Sequence, residues 1–385
     1  MIQPWSIDVG GHRGMGANII RANKLVPAYR ENTLGSFQAA AATGASFVEF
    51  DVQVTADGTP VLWHDDTVDF GDPSAPTRVP VAGLTLPEFQ ALGGGGAAPR
   101  VVRSFWEEAA PAPADAAADA AAVADAPRGG SPPRARTPPR AWRCDVDEGF
   151  PTFEQLFCAL PPGVGFDIEV KMATPRELAV TPAAEVDRVV GPVLAVAERC
   201  CPPAGAAAAA GAGAAPGRGE RPIVFSSFDP DVCAALRARQ SRWPVLLLSA
   251  GGREPHADAR RAGLGAALRV AAGGGLDGLI VDSGALRDDP GFAAAVAAAG
   301  GGAGRRALRL LTYGADNDDP AWVLEQARLG VRGVICDDVP RVLAALRAAA
   351  AAAGAVAAVA AASAARAAGH GVAPAAGAVV RAAAA

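Results

Sequence analysis

Short apolar runs recur along the chain, and polar or helix-forming stretches separate them. Eight of these runs have the length and alternation of buried strands; they are SIDVGGH, FVEFDVQ, GFDIEVK, PIVFSSF, PVLLLS, LDGLIVD, LRLLTYG and GVICDD. Strands that alternate with helices are typical of parallel α/β proteins. Eight such strands predict a (β/α)8 TIM barrel, whose reactive groups lie at the carboxyl ends of the strands.

The stretches between the predicted strands carry helix start and stop signals. TLGSFQAAAATG predicts a helix that is capped by Asn32 or Thr33 and ends at Gly44. Two further helices, DPDVCAALRARQ and DPAWVLEQARLG, begin with aspartates that can cap the first turn, Asp229 in one and Asp318 or Asp319 in the other. Each of these helices follows a strand whose end carries candidate site residues.

Three segments do not fit a packed barrel. Residues 94–143 mix Gly-rich, Ala/Asp-rich and Pro/Arg-rich stretches, and residues 202–219 are Ala and Gly with Pro. Their low content of bulky apolar residues predicts disordered or weakly ordered loop insertions. Residues 6–345 are therefore expected to form one barrel domain, followed by an alanine-rich tail over residues 346–385 that is helical or disordered.

The composition narrows the class of partner. The chain has 385 residues, half of them apolar, and a formal net charge of −5. This charge gives no basic surface, so a nucleic-acid partner is not expected. The cysteines lack metal-finger spacing and are expected to be reduced thiols; they are Cys144, Cys158, Cys200, Cys201, Cys233 and Cys336.

The two ends of the chain bear on its location. The first predicted strand begins almost at once, which leaves no room for a signal peptide. A cytoplasmic protein is therefore expected, with a plastid as the alternative if a leader precedes this sequence. The uncharged stretch between Arg347 and Arg366 is near the minimum length of a membrane span, roughly 17 residues, but alanine is only weakly apolar, so no integral membrane span is expected.

Candidate chemistry begins in the second predicted strand. Residues two apart in a strand share a face, so Glu49 and Asp51 present both carboxylates on one side. Asp57-Gly58 predicts a two-residue hairpin turn. Pairing back from that turn sets Val54 against Val61 and Asp51 against His64, which returns a histidine to the carboxylates. The other candidate histidine, His12, lies in the GHRG segment that ends the first strand.

A third strand repeats the alternation of charged residues. In GFDIEVKM, Asp167, Glu169 and Lys171 lie on one face. Buried charges of this kind are usually paired or bind a ligand. Glu169 can complete a three-carboxylate site with Glu49 and Asp51, and an all-oxygen site suits Mg²⁺, with Ca²⁺ as the alternative. Together with the histidines and Arg13, this set suits metal-assisted cleavage of a phosphate ester.

The sequence resembles the glycerophosphodiester phosphodiesterases of the phosphatidylinositol-phospholipase-like TIM-barrel superfamily. The motifs that carry the resemblance are HRG, EN, EFDVQVTADGTPVLWHD, IEVK, FSSFDPD, PVLLLSAGG, LDGLIVDS, LLTYGADNDDP and GVRGVICDDV. The later motifs look most like the plant and yeast branch. The match covers nearly all of residues 6–345 outside the two insertions and shows no departure at the site positions.

The resemblance implies both a reaction and the residues that perform it. The expected products are sn-glycerol 3-phosphate and an alcohol such as choline or ethanolamine, so the partner is a small glycerophosphodiester. The resemblance further implies an acid–base pair of histidines, three carboxylate ligands to a divalent cation, and two cations on the phosphate; these are His12 and His64, then Glu49, Asp51 and Glu169, then Arg13 and Lys171.

Other polar and aromatic residues have open roles. Phe228 and Tyr313 lie at later strand ends, where they either line the alcohol side of a pocket, favouring a choline-like cation, or only pack in a lid. Glu31 either orients a ligand or begins a helix. His256 and His370 are expected to be structural; Asp282 and Asp337, also at strand ends, have no assigned role.

Two other functions remain open at this stage. The same barrel could cleave an intact lipid as a phospholipase-like or lyase-type phosphodiesterase. An apolar rim around the pocket would favour that activity, and the sequence shows no clear rim. A phosphodiester-binding module without turnover is the other alternative, but the complete set of histidines and carboxylates argues against it.

Overall fold

A computed structural model describes residues 7–94, 100–108, 134–173, 175–202, 220–300 and 307–368 of the chain. It contains eight parallel barrel strands, named here β1 to β8. They are Asp8–Gly11, Phe47–Val54, Gly165–Val170, Ile223–Ser227, Val245–Ser249, Gly278–Asp282, Arg309–Tyr313 and Gly333–Cys336. Each strand pairs with the next along the chain, and β8 pairs with β1. The predicted TIM barrel and its eight strands are therefore confirmed.

Helices follow the strands. In chain order, α1 to α10 are Leu34–Thr43, Leu86–Gly93, Phe153–Ala159, Ala183–Cys200, Pro230–Arg239, Leu264–Gly273, Ser283–Asp288, Gly291–Gly300, Pro320–Leu329 and Val339–Ala368. Short 3₁₀ turns occur at Val81–Gly83, Ala259–Arg261 and Ala315–Asp318. In α4 the buried side chains recur at helical spacing, for example Val186, Val189, Val190 and Val193, so one apolar stripe faces the barrel.

The predicted caps of three helices can now be decided. Thr33, and not Asn32, precedes α1, which ends at Gly44 in the left-handed conformation at φ 96°. Asp229 accepts from two backbone amides at the start of α5, as predicted. Asp319 caps α9, while Asp318 instead accepts from the amides of Asp337 and Asp338, both at 2.8 Å.

The hairpin after β2 differs from its predicted register by one residue. Val54 pairs with Pro60, and the amide of Trp63 donates to the Asp51 carbonyl at 3.1 Å, so Trp63 and not His64 lies opposite Asp51. The predicted two-residue turn is wrong because the loop between Thr55 and Thr59 has one residue more. Gly58 ends that loop at φ 80°, the left-handed position that glycine favours.

Part of the first insertion forms described strands. Residues 100–108 and 134–143, here called the strap, contain Val102–Arg103 paired with Arg140–Ala141, and Trp106–Glu108 paired with Arg134–Arg136. The strand Ile19–Arg21 continues this sheet between Trp106–Glu108 and Lys24–Val26, and Thr67–Phe70 pairs with Thr77–Pro80 elsewhere. The strap packs through buried side chains of one cluster, which include Val101, Phe105 and Trp142. The prediction of weak order is therefore wrong for the strap.

Other predictions concern the remaining segments. Residues 95–99 and 109–133 of the first insertion, residues 203–219 of the second and residues 369–385 of the tail lie outside the described residues. The chain divides into two compact units, Met1–Leu343 and Ala344–Ala385, and the described part of the tail is helical. Among the described helices, none combines the length and apolar character that a membrane crossing requires. None of the six cysteines, all of which lie in described residues, forms a disulfide.

Candidate active site

The GHRG segment forms a tight turn at the end of β1. Gly14 has φ 98°, and a Cβ there would lie 2.3 Å from the Ser36 hydroxyl oxygen, so only glycine fits. Arg13 also takes a left-handed conformation, at φ 50°, which is uncommon for a residue with a side chain. This conformation directs its amide to Glu49 Oε2, at 2.9 Å. The turn therefore ties the end of β1 to the carboxylates on β2.

The three predicted metal ligands meet at the ends of two adjacent strands. Asp51 on β2 lies in register with Glu169 on β3, and Glu49 lies in register with Asp167. Glu49, Asp51 and Glu169 each offer a carboxylate oxygen, and these atoms all lie within 4.8 Å of one another. All three side chains are buried. The parallel register, and not the hairpin, assembles this triad.

The charges in the triad suit a divalent cation. Burial, and then the charges of Asp51 and Glu169, raise the pKa of Glu49 well above its ordinary value. Burial alone would raise the pKa of Asp51, but the charges of His64, Arg13 and Lys171 outweigh it and hold that pKa low. Asp51 Oδ1 is buried without a hydrogen-bond partner among the described residues. An oxygen-ligated cation would satisfy this atom and relieve the repulsion, so the residues fit such an ion.

Below the triad lies a fourth carboxyl group that is not part of it. Asp167 accepts a hydrogen bond of 2.7 Å from the Ser226 hydroxyl. Burial is the main reason that its pKa is raised to about 7, and the charges of Glu169 and Asp51 add to this effect. Asp167 therefore adds less negative charge to the barrel interior than an ionised aspartate would.

His12 lies at the edge of the triad and is held by a residue of β8's end. Its Nδ1 donates to Asp337 Oδ1 at 2.7 Å, while its Nε2 lies 4.0 Å from Glu49 Oε2. The same Asp337 oxygen accepts from the Ala17 amide at 2.8 Å. Because an ionised carboxylate only accepts hydrogen bonds, this contact puts a proton on Nδ1 and leaves Nε2 facing the cavity for proton transfer.

His64 is held in the same way by its neighbour in the sequence. Its Nδ1 donates to Asp65 Oδ1 at 2.7 Å. Burial, followed by the charges of Arg13 and Lys171, lowers the pKa of His64 to about 4, so the ring is neutral near pH 7. His12 and His64 therefore present the same arrangement to the cavity, with a carboxylate behind each ring.

Arg13 and Lys171, the predicted phosphate ligands, both lie among carboxylates. Arg13 donates to Glu31 Oε1 at 2.6 Å, and its Nε lies 3.4 Å from Asp51 Oδ2. Lys171 Nζ lies 3.0 Å from Glu169 Oε1 and 3.6 Å from Asp51 Oδ1. Two cations near three carboxylates leave a deficit of positive charge, because Arg13 is shared with Glu31.

Glu31 and Asn32 support this cluster from behind. Glu31 is buried and accepts from Arg13, from Arg103 at 2.9 Å and from the Asn18 amide. Asn32, at φ 56°, donates from its side chain to Asp51 Oδ2 at 2.9 Å. The sequence left two roles for Glu31, to orient a ligand or to begin a helix. In the structure Glu31 lies before α1 and pairs with two arginines.

These residues line one cavity of about 930 Å³ at the carboxyl ends of the strands. Both histidines, Glu49, Glu169, Arg13 and Lys171 line it, and Asp51 lies directly behind them. Phe228 and Tyr313 also line it and pack edge to face, with ring centroids 5.7 Å apart. The structure therefore brings every predicted site residue to this cavity.

The other histidines and the two strand-end aspartates named in the sequence differ in their contacts. His256 lies at the cavity wall, where its Nδ1 accepts from the Asp258 amide at 3.0 Å, a contact in keeping with the predicted structural role. His370 lies outside the described residues. Asp282 caps α7 through the Ala285 amide at 2.8 Å. Asp337, which had no assigned role, is the partner of His12.

Four supporting residues are not among those predicted from the sequence. Asp65 and Asp337 hold the histidines, and the adjacent acidic pairs in WHDD and ICDD were the available signals. Arg103 and Arg134 approach from the strap, at 3.1 Å from Asp65 Oδ1 and 3.6 Å from Asp337 Oδ2. Both arginines lie in a segment whose composition gave no sign of an ordered structure.

Known proteins are similar to this chain along most of its length. The model of the glycerophosphoryl diester phosphodiesterase family matches residues 12–341. A glycerophosphodiester phosphodiesterase of Arabidopsis thaliana is 27% identical over 338 residues, which are 86% of this chain and 75% of that protein. A glycerophosphocholine phosphodiesterase of Candida albicans is 30% identical over 361 residues, which are 89% of this chain and 29% of that longer protein.

Solved structures show the same fold. A glycerophosphodiester phosphodiesterase from Parabacteroides distasonis aligns with a TM-score of 0.54 and 15% identity, covering 90% of this chain and 99% of that one. An Oleispira antarctica phosphodiesterase in complex with sn-glycerol-3-phosphate aligns with a TM-score of 0.52 and 15% identity, covering 89% and 97%. The family match and the plant and yeast relatives confirm the resemblance seen in the sequence: the chain belongs to the glycerophosphoryl diester phosphodiesterase family of hydrolases.

Proposed function

We propose that the chain hydrolyses glycerophosphodiesters, such as glycerophosphocholine and glycerophosphoethanolamine, to sn-glycerol 3-phosphate and the free alcohol. The observation that carries the proposal is the presence of two histidines, each with a carboxylate behind it, on one cavity with a buried carboxylate triad. Relatives named as glycerophosphocholine phosphodiesterases support the choice of substrate. The role would be recovery of lipid headgroups and phosphate.

Glu49, Asp51 and Glu169 would hold a divalent cation, with Mg²⁺ favoured over Ca²⁺. When bound, such a cation polarises the phosphoryl group and lowers the pKa of a hydroxyl group beside it. Arg13 and Lys171 would balance the negative charge that collects on the non-bridging phosphate oxygens. The triad would thus set where the phosphate lies. Arg13 and Lys171 would reduce the repulsion between the negative charge of the phosphate and the carboxylates.

His12 and His64 would act as the acid–base pair through their Nε2 atoms. One histidine takes the proton of the attacking oxygen, which belongs to water or to the glycerol 2-hydroxyl group, as that oxygen bonds to phosphorus; the second route gives a cyclic phosphate that water then opens. The other histidine, which begins this step with a proton on Nε2 as well as on Nδ1, donates the Nε2 proton to the alcohol oxygen as the ester bond to phosphorus breaks. Asp337 and Asp65 hold the Nδ1 protons, so each ring presents Nε2 to the cavity throughout.

Phe228 and Tyr313 would line the alcohol side of the cavity. Their edge-to-face pair presents aromatic surface, and a quaternary ammonium headgroup is attracted to such surface. For the compartment we propose the cytoplasm, with a plastid as the alternative, since one Arabidopsis thaliana relative is named as chloroplastic. A fluorescent fusion of the chain in its own cells would test the compartment.

The test of the proposed function is release of glycerol 3-phosphate from glycerophosphocholine by the purified chain. Assays contain Mg²⁺, Ca²⁺ or EDTA, and they include His64→Ala and Glu49→Ala, with His256→Ala as the matched control. We expect metal-dependent release that His64→Ala and Glu49→Ala abolish and His256→Ala keeps. Phosphorus NMR of the products would show whether a cyclic phosphate precedes glycerol 3-phosphate. A folded, metal-binding protein that releases none from any common headgroup would refute the proposal.

A further inference from the structure

The strap reaches the carboxylate behind His64 through Arg103. Arg103 Nη2 donates to Asp65 Oδ1 at 3.1 Å, and that oxygen also accepts from His64 Nδ1 at 2.7 Å. Arg103 Nη1 donates to Glu31 at 2.9 Å, and the guanidinium lies 4.7 Å above the Trp142 ring. Because Trp142 belongs to the strap and is buried, the arginine is held in place before any substrate arrives.

The strap reaches the carboxylate behind His12 through Arg134. Arg134 Nη1 lies 3.6 Å from Asp337 Oδ2, while the other oxygen of Asp337 accepts from His12. Arg134 Nη2 donates to Glu108, on the paired strap strand, at 3.0 Å and lies 3.6 Å from Asp318 Oδ2. The arginine is thus anchored on the strap at one end and faces the His12 partner at the other.

We propose that Arg103 and Arg134 are positioning residues, through which one loop insertion orients both histidines of the acid–base pair. The inference rests on the proposed function for the roles of His12 and His64. Each arginine fixes a carboxylate, and each carboxylate fixes the Nδ1 proton of one ring. The strap therefore couples groups from opposite ends of the chain, since Asp65 follows β2 and Asp337 follows β8.

The geometry shows what each arginine contributes. Asp337 is contacted at both oxygens, by His12 and Ala17 on one and by Arg134 on the other, so its carboxylate plane cannot rotate freely. Arg103 contacts two different carboxylates with two nitrogens, which the planar fork of a guanidinium allows and a lysine ammonium does not. Removing either arginine frees its carboxylate to turn away from the histidine.

Steady-state kinetics of strap variants test the proposal. Arg134→Ala and Arg103→Gln should each lower kcat roughly 10- to 100-fold, as loss of an outer orienting group does elsewhere, with KM changed less than about 3-fold. Arg134→Lys should recover most of the loss, because a single charge near Asp337 suffices, whereas Arg103→Lys should recover little. Arg140→Ala, an exposed arginine of the strap, is the matched control. Thermal melts confirm that each variant is folded. A kcat within twofold of wild type in folded Arg134→Ala would overturn the proposal.

Histidine NMR gives a test that does not need turnover. The chain has four histidines, so ¹⁵N-histidine spectra at one fixed pH can be assigned with His12→Asn and His64→Asn. We expect Nδ1–H rings for His12 and His64 in the wild type. Arg134→Ala should disturb only the His12 signals, and Arg103→Gln only the His64 signals. If neither variant disturbs its own ring, the inference fails even with an active wild type. If the wild type is inactive but each variant still disturbs only its own ring, the proposed function is refuted and the inference about the arginines stands.

Discussion

The two sides of the barrel are built from the same strand–helix repeat and carry opposite chemistry. Strands β1, β2, β3 and β8 end in ionised or titratable groups, with His12, the carboxylate triad and Asp337 among them. On the other side, Leu246, Leu248 and Ile280 form an apolar cluster that Ile335 of β8 completes, and Phe228 and Tyr313 pack against it. The charged side is fixed by buried ion pairs, and the apolar side by van der Waals contact. Catalysis and the choice of alcohol should therefore be separable by mutation.

The same substitution, glutamate to glutamine, should change kcat very differently on the two sides, and this difference should be the largest. Glu169→Gln removes a triad carboxylate and should lower kcat about 10³-fold, since a cation's stabilisation of the transition state is worth several kcal/mol. Glu254→Gln, at the cavity wall beyond the triad, should change kcat less than about twofold. Calorimetric Mg²⁺ titrations should show weakened binding only in Glu169→Gln. Equal losses in the two variants would contradict the division.

The charged side should also set the stability of the protein in acid. Burial alone would raise the pKa of Glu31, but the charges of Arg103 and Arg13 lower it from 4.5 to about 2. A carboxyl with a lowered pKa stabilises the fold above its ordinary pKa, and this stabilisation is lost as the pH falls from about 4.5 to 2. Glu31→Gln should therefore reduce the free energy of unfolding by roughly 3 kcal/mol at pH 7.

The pH dependence of this effect is its check. Denaturant melts from pH 7 to pH 2 should show the difference between wild type and Glu31→Gln shrinking below pH 4.5. Glu107→Gln is the control, because Glu107 forms no ion pair with a described residue. A difference that stayed constant down to pH 2 would mean that the ion pairs of Glu31 do not stabilise the fold.

Substitution of two strand-end aspartates should give a difference in kcat of intermediate size. Asp337, after β8, orients His12, whereas Asp282, at the end of β6, caps a helix. Asp337→Asn should lower kcat up to about 100-fold with little change in KM, because an amide no longer fixes the Nδ1 proton. Asp282→Asn should keep kcat within about twofold. Initial rates over a range of substrate concentrations separate the two parameters.

The smallest effect should appear on the apolar side and should depend on the headgroup. Phe228→Leu keeps an apolar side chain but removes the aromatic face, so KM for glycerophosphocholine should rise about 5-fold, from a cation–π contribution near 1 kcal/mol. KM for glycerophosphoglycerol, whose headgroup is uncharged, should hardly change. Tyr313→Phe, which keeps the ring, should behave like wild type with both substrates. A loss shared by both headgroups would indicate a packing role for Phe228.

The barrel and the ligands of the triad followed from the sequence because both depend on local pattern. Strand alternation places Glu49 and Asp51 on one face regardless of the rest of the fold, and the repeat of eight apolar runs is sufficient for the barrel. The predicted register of the hairpin was wrong because an Asp-Gly pair indicates a turn but does not show that the loop has one residue more. That slip did not affect the site, since the β2–β3 register assembles the triad.

The strap and the partners of the histidines could not be predicted from the sequence, for physical reasons. Averaged over residues 94–143, alanine, glycine and proline hid Val101, Phe105 and Trp142, which are enough to anchor two short strand pairs. Asp337 contacts His12 only after the barrel closes, so the ICDD pattern indicates the aspartate but not the histidine that it contacts. Arg134 was hidden by both effects, since it lies in the insertion and contacts the last strand's end.

His12 and its partner Asp337 are separated by 325 positions in the chain. During synthesis on the ribosome, β1 and β2 with two carboxylates of the triad emerge long before the residue that contacts His12. The nascent chain therefore carries the proposed cation ligands before it can hold His12, and full activity is expected only when the last strand joins the first. Turnover thus reports completion of the barrel, and a prematurely terminated chain lacking Asp337 would not hydrolyse cellular phosphodiesters at the full rate.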